Sequence, residues 1–248
     1  MKIVVCISQV PDTTTKVKVG ENGKNIDPKD VTYIINPYDE FAFEEGIKLK
    51  EKNGGETIAV SVGKETIKET IRKAFAMGID KGILIKTDEE LDSFSVAKNL
   101  ANALKEINPD IILFGKQSID YDNSQVGTLT AEFLGIPSIN VVVGLDIQGN
   151  EVIAEREIEG GKEIVSATLP AIICAQKGLN NPRYPNLKGI MMAKSKPIEE
   201  KQPSYSGNKS EVITMRLPKG KSKGKIVGND ISAVSELVRL LREEAKVI

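Results

Sequence analysis

Short β-branched apolar runs alternate with stretches of helical period over the first 143 positions of the 248-residue chain. No other feature restricts the fold as much. A strand, a crossover helix and a second strand form a right-handed βαβ unit, and repetition of that unit builds a parallel sheet covered on both faces. KIVVCISQV (2–10) is nearly all apolar, as expected of a strand buried on both sides. PDTTT (11–15) is a polar loop, and KVKVGENGKNID (16–27) reads as a small hairpin around Glu21-Asn22-Gly23. Asn36 as cap and Pro37 at the first helical position open a helix through EFAFEEGIKLKEK that ends at Gly54-Gly55. ETIAVSV (56–62) is the next strand. The helix at 65–78 that follows carries Ile67, Ile71, Ala74 and Phe75 on one stripe. GILIKT (82–87) precedes a helix over 96–107, with Ser93 or Ser95 near its start. IILFG (111–115), a helix around QVGTLTAEFLG and SINVVV (138–143) complete a doubly wound, mostly parallel α/β sheet of Rossmann-like kind.

After residue 143 the pattern changes. LDIQGNEVIAEREIEGGKEIVSATLPAIICA (145–175) has turn signals at Gln148-Gly149-Asn150 and Glu159-Gly160-Gly161, which predict an appended antiparallel meander. Residues 196–227 lose apolar periodicity, and PKGKSKGK (218–225) is basic low complexity. Asp230 then caps a last helix with Ile231, Val234, Leu237, Val238 and Leu241 on one face. The expected organisation is an α/β unit with its meander over 1–195 and an arm and helix over 196–248, the helix needing a docking surface on this chain or another.

Composition narrows the chemistry. The chain has no histidine, which removes Ser-His-Asp and Cys-His nucleophile systems and the usual zinc sets. Its only two cysteines, Cys6 and Cys174, sit in apolar runs and read as buried thiols. Lys and Arg total 34 against 35 Asp and Glu, a balance that offers no pull toward nucleic acid or an anionic membrane. No run approaches a membrane span, and the chain opens directly on a strand. A cytoplasmic protein with no metal, no nucleic-acid partner and no membrane insertion is the expectation.

In an open doubly wound sheet, ligands bind beyond the carboxyl ends of the strands at the switch point. Those ends are Ser8-Gln9-Val10 and GKQSIDYDNSQVGTLTAEFLG from Gly115 onward. Gly115 would let the chain leave the strand tightly, and Asp122, Asn123 and Ser124 would cap the coming helix. The amides around Gln125 to Thr128 would point into the crevice, where Gly127 admits a ligand close to the backbone and the helix dipole favours phosphate. Neither GxGxxG nor GxxxxGK[ST] occurs, so a Rossmann dehydrogenase and a P-loop NTPase are not supported.

The opening strand with VPDTT, INPYDEFAFEEGIKLKE, ETIRKAFAMGID, ILFGKQSIDYDNSQVG, REIEGG…LPAIICA and LNNPRYPNLKGIM occur in an order that resembles the electron transfer flavoprotein beta subunit family, from residue 1 to about 198. The resemblance implies a non-catalytic electron-carrier subunit paired with an alpha subunit that holds FAD. It also implies a structural AMP in this chain, or a second FAD if the chain belongs to the electron-bifurcating branch. Carried over, the nucleotide contacts are Cys6, Asn36, Pro37, Tyr38, Asp39 and Val62. The loop adds Ser118, Ile119, Asp120, Tyr121, Asp122, Asn123, Ser124, Gln125, Val126, Gly127, Thr128 and Leu129. The resemblance also implies that 1–195 is the nucleotide-binding domain and that the arm and helix over 196–248 pack on the alpha subunit. It implies further that a recognition loop at about 176–190 docks an acyl-CoA dehydrogenase or similar flavoprotein dehydrogenase through Leu179, Asn180, Pro182, Arg183 and Tyr184, with Leu179 as the inserted anchor. Lys188, Lys194 and Lys196 would steer an acidic partner. Thr13 stands where some relatives have an aromatic residue, which leaves ring stacking there without support. Two other readings stay open: a stand-alone nucleotide sensor similar to universal stress proteins, and a nucleotide hydrolase using Asp120 or Asp122.

Overall fold

The computed structural model describes residues 1–220 and 223–248; Lys221 and Ser222, inside the basic run read from the sequence, lie outside them. The elements in chain order are β1 (Lys2–Cys6), β2 (Gln9–Pro11), β3 (Tyr33–Ile35), α1 (Pro37–Asn53), β4 (Glu56–Gly63), α2 (Ile67–Met77) and β5 (Lys81–Lys86). Then follow α3 (Ser93–Ile107), β6 (Ile111–Gly115), α4 (Val126–Leu134), β7 (Ser138–Gln148), β8 (Glu151–Ile158), β9 (Gly161–Thr168), β10 (Ala171–Ala175), α5 (Leu187–Ala193), β11 (Glu199–Lys201) and α6 (Val234–Arg239).

Nine strands form one sheet in the order β11-β5-β4-β1-β6-β10-β7-β8-β9. The run from β11 to β7 is parallel, and β8 and β9 continue it as an antiparallel extension of β7. Alternation along the central strands divides the core. Ile3, Val5, Ile111, Leu113 and Ile173 face α1 and α2, whereas Val4, Cys6, Ile112, Phe114 and Cys174 face α3 and α4. The crossover from β5 through α3 to β6 passes to the far side of β1, and the switch point therefore lies between β1 and β6.

Four local expectations are corrected. The first apolar run is two strands. β1 ends at Cys6, and Gln9–Pro11 turns away to pair with Tyr33–Ile35 in a separate antiparallel sheet. The hairpin around Glu21-Asn22-Gly23 reduces to a single bridge between Val19 and Ile26. AIICA, read as the last strand of the meander, is inserted between β6 and β7 and is parallel to both. Its five buried residues are those of a central strand. The start of α3 is capped by Asp92, whose carboxylate accepts the Ser95 N–H, and not by either serine.

The segment beyond α5 lies on the chain's own surface for part of its length. β11 extends the sheet beside β5, and residues 204–210 run across α3. There the Asn99 Oδ1 accepts the N–H groups of Ser204 and Tyr205, and Asp92 accepts those of Lys209 and Ser210. Asp230 caps a 3-10 turn over Ile231–Ala233 that runs into α6. Of the expected apolar face Ile231, Val234, Leu237 and Val238 are uncovered, from Val238 at 39% to Ile231 at 89% exposed, while Leu241 is half-buried.

Candidate functional site

A cleft opens at the switch point. Its floor is Cys6 and Phe114, and its polar wall comprises Ser8, Gln9, Lys116, Gln117, Ser118, Asp120 and Asn123. Val62, Ile67, Leu91, Val96 and Leu100 supply its apolar lining. The first residues of α4, Val126 and Gly127, close one end. The shape suits an amphipathic ligand, with a flat apolar part against α3 and an anion at the α4 amides.

The loop before α4 is held by hydrogen bonds of its own. Gln117 is its organiser: its Nε2 donates to Asp122, its Oε1 accepts the Ser124 hydroxyl at 2.9 Å, and its carbonyl accepts Asn36 Nδ2 at 2.8 Å. Asp122 and Ser124 both sit in the left-handed region, with φ of 54° each. Such kinks turn successive N–H groups toward one concave side. Asn123, through its amide, binds Ser93 at the start of α3. These side chains therefore do not cap α4 as the sequence suggested. Its cap position is Gln125, without a side-chain cap, so no side chain claims the amides of the first turn. Unclaimed amides at a helix start with a positive dipole end are the chemistry of a phosphate site.

Asn36 and Asp39 brace this loop from beneath. Asn36, fully buried, donates to Asp39 Oδ1 and accepts the Ile119 N–H. Asp39 accepts the N–H and hydroxyl of Ser8 at 2.7 and 2.8 Å and the Gly115 N–H at 3.1 Å. Burial raises its pKa to about 6 against these donors, which pull it down. Desolvation also pushes the Cys6 thiol well up and the Cys174 thiol to about 12, so both remain protonated small apolar groups.

Packing gives the two loop glycines a reason beyond those read in the sequence. A Cβ on Gly115 would lie 2.4 Å from Asp39 Oδ1, so this glycine makes room for the carboxylate. A Cβ on Gly127 would lie 2.6 Å from Cys174 Sγ, so this one lets α4 press onto β10.

Of the residues expected to touch nucleotide, Cys6, Asp39, Val62, Ser118, Asp120, Tyr121, Asn123, Gln125, Val126 and Gly127 line the cleft. Asn36, Ile119, Asp122 and Ser124 shape the loop behind them. Pro37 starts α1, and Tyr38 lies under the Lys116 ammonium. Thr128 accepts a hydrogen bond from Asn140, and Leu129 is half-buried on α4. Sequence reasoning missed Lys116, Gln117, Leu91 just before α3, and Val96 and Leu100 of α3. Val96 and Leu100 are spaced i, i+4, but an ordinary core stripe has the same spacing.

The loop after β10 is bolted to α1. Arg183 forks onto Glu44 through Nε at 2.8 Å and Nη2 at 2.8 Å, and onto Glu51 through Nη1 at 2.6 Å. Asn180 donates to the Phe41 carbonyl and to Glu45, and Pro182 beside it is half-buried. Leu179 is half-buried against the core. The outward apolar groups are Tyr184 at 94%, Leu187 at 83%, Met191 at 69% and Met192 at 56% exposed. No group of three or more His, Cys, Asp or Glu that could hold a metal occurs among the described residues, and no helix there is long and apolar enough to cross a membrane.

The electron transfer flavoprotein domain family matches residues 25–205. Along its whole length the chain is 42% identical to the electron transfer flavoprotein subunit beta of Bacillus subtilis, of which it covers 100%. It is 39% identical to the protein of that name from Syntrophomonas wolfei, covering 98% of it, and 35% identical to the human one, covering 99%.

Proposed function

The chain belongs to the electron transfer flavoprotein family as a beta subunit, and on that premise we propose that it binds AMP in the β1/β6 cleft, completes the FAD site of an alpha subunit and docks flavoprotein dehydrogenases. One observation carries the AMP reading. The uncapped first turn of α4 and the kinked loop before it present N–H donors at the polar end of a cleft whose other wall is apolar. A phosphate would sit on the amides of Val126 and Gly127, and a base would lie against Val96 and Leu100. FAD, when bound by the heterodimer, supplies the redox chemistry; the side chains of this cleft bind, orient and exclude water.

The proposed docking face is the exposed set of Tyr184, Leu187, Met191 and Met192, with Lys188 and Lys194 also exposed beside it. An apolar centre with a basic edge fits an apolar pocket with an acidic rim. Leu187 is more exposed than Leu179, which makes it the stronger anchor. The uncovered apolar face of the last helix is the segment proposed to pack on the alpha subunit.

The test is the nucleotide released by acid from the purified heterodimer. One AMP and one FAD per heterodimer are expected. Two FAD and no AMP would move the chain to the bifurcating branch, and an empty cleft would remove the nucleotide reading.

A further inference from the structure

The proposed docking face is small and lies on a loop and a short helix, elements that would otherwise be mobile. α5 has seven residues, too few to hold helical form alone in water. Two arginines from different parts of the sequence fasten its flanks. On the loop side, Arg183 lies against Glu44, whose side chain is only 6% exposed, and reaches Glu51 one turn and more along α1. The Arg183 backbone N–H also donates to Glu44, at 3.0 Å, so main chain and side chain are both tied. On the far side, Arg72 of α2 donates through Nη1 to the carbonyls of Ala193, Lys194 and Lys196 at 2.9, 2.8 and 3.4 Å. Those carbonyls include the ones that a helix end leaves without partners. Asn186 caps the start of α5 by accepting the Gly189 N–H, and Gly189 itself leaves so little room that a Cβ would lie 2.4 Å from the Ala76 carbonyl of α2. Lys196 adds a bond to the Ile79 carbonyl.

None of these polar contacts is needed to bury the exposed apolar groups, which point away from the protein. Their effect is to fix where Tyr184, Leu187, Met191 and Met192 stand. We infer that Arg72 and Arg183 are positioning residues for docking: they hold a preformed face, so that a partner meets it without having to order it. Ordering a loop on binding costs conformational entropy for each immobilised side chain, a cost removed in advance by a rigid face. The two arginines act differently: Arg183 spans Glu44 and Glu51 with the planar fork of Nε, Nη1 and Nη2, whereas Arg72 reaches the three carbonyls with one terminal nitrogen, Nη1, at the end of a long stem. This inference rests on the docking reading given above, and the variants below separate the two.

The experiment compares wild-type heterodimer with Arg183→Lys, which keeps the charge and loses the fork, and with Arg72→Met, which keeps an unbranched stem and loses the donors to the three carbonyls. Two quantities are measured: amide hydrogen exchange over 184–192, and the heterodimer concentration that half-saturates reduction by a purified acyl-CoA dehydrogenase reduced with its acyl-CoA. Either variant is expected to speed exchange over 184–192. It should also raise the half-saturating concentration about tenfold, equivalent to about 1.4 kcal/mol. The rate at saturation and the flavin content should be unchanged, a split that general damage to the fold would not give. Unchanged exchange in both variants overturns the inference, and so does faster exchange with unchanged half-saturation. Leu187→Ala tests the docking face itself: if it leaves half-saturation unchanged, the docking reading fails whatever the arginines do. If it raises half-saturation and the arginine variants do not, only the present inference fails.

Discussion

The carboxylate of Asp39 accepts the backbone N–H of Gly115 at 3.1 Å, which ties the first turn of α1 to the exit of the strand that feeds the anion loop. The same carboxylate holds Ser8 at the exit of β1, so one side chain joins both edges of the switch point. Its pKa of about 6 lies above the ordinary 3.8, because burial outweighs the donors around it. The folded protein therefore holds this proton more tightly than the unfolded chain. Asp39 contributes its full stability below about pH 4 and loses it as pH rises through about 6. Urea unfolding of wild type and Asp39→Asn across this range should show wild type losing stability relative to the variant, by on the order of 3 kcal/mol in total. Parallel pH profiles would remove Asp39 from this role.

Gly127 and Cys174 should be energetically coupled. The 2.6 Å approach of a Cβ to Sγ means that Gly127→Ala pushes α4 off β10, at about 1–3 kcal/mol for overpacking. Because α4 carries the proposed phosphate amides, the variant should also retain less AMP. Cys174→Ala removes the obstructing sulfur, and Gly127→Ala should then cost less in that background. Additive effects in the double-mutant cycle would show that the sulfur is not what demands glycine.

The central strands were legible because they are apolar on both faces, and only a sheet covered twice needs that. The order of those strands was not. AIICA has the pattern of a buried strand wherever it is placed, and its insertion between β6 and β7 depends on contacts far away in sequence. The cap of α3 failed for a related reason. Asp92, Ser93 and Ser95 all suit the position, and Asp92 is favoured by donors from Lys209 and Ser210, more than a hundred residues on. At the cleft, the loop was readable from its turn residues. Its α3 wall was not, since Val96 and Leu100 look like any core stripe. The resemblance assigned Asn180 and Arg183 to partner docking, and only the fold shows the buried Glu44 and the neighbouring Glu45 of α1 to which they bond.

Leu179 and Leu187 should separate stability from docking. Leu179 packs on the core, and Leu179→Ala should lower the unfolding midpoint, by an amount at the low end of the 2–5 kcal/mol seen for buried leucines, because the site is only half-buried. Leu187 is 83% exposed, so Leu187→Ala should leave unfolding within about 0.5 kcal/mol of wild type. Thermal melts of both variants check this. A large loss at Leu187 would mean that the residue is covered in the assembled protein by something other than a transient partner.

Asp92 fastens the segment 204–210 to the helix that walls the cleft, and its removal should free that segment. Its carboxylate accepts the N–H groups of Ser95 at 2.9 Å, Lys209 at 2.6 Å and Ser210 at 2.8 Å. Partial burial would raise its pKa, but these donors outweigh it and bring the value down to about 2. The contribution is therefore present above about pH 4 and is lost as pH falls toward 2, so it is intact at neutral pH. Asp92→Ala should cost about 1 kcal/mol for the helix cap alone. It should also speed tryptic cleavage after Lys209, followed by mass spectrometry of the intact heterodimer. Asp92→Asn keeps an acceptor for the Ser95 amide, but its NH2 group opposes the donors of Lys209 and Ser210. It should restore the cap and still release the segment. Cleavage after Lys209 at the wild-type rate in both variants would show that the bonds of Asn99 to Ser204 and Tyr205, the bond of Asn208 to the Glu90 carbonyl and the packing of Tyr205 on Phe94 hold the segment without help from the carboxylate.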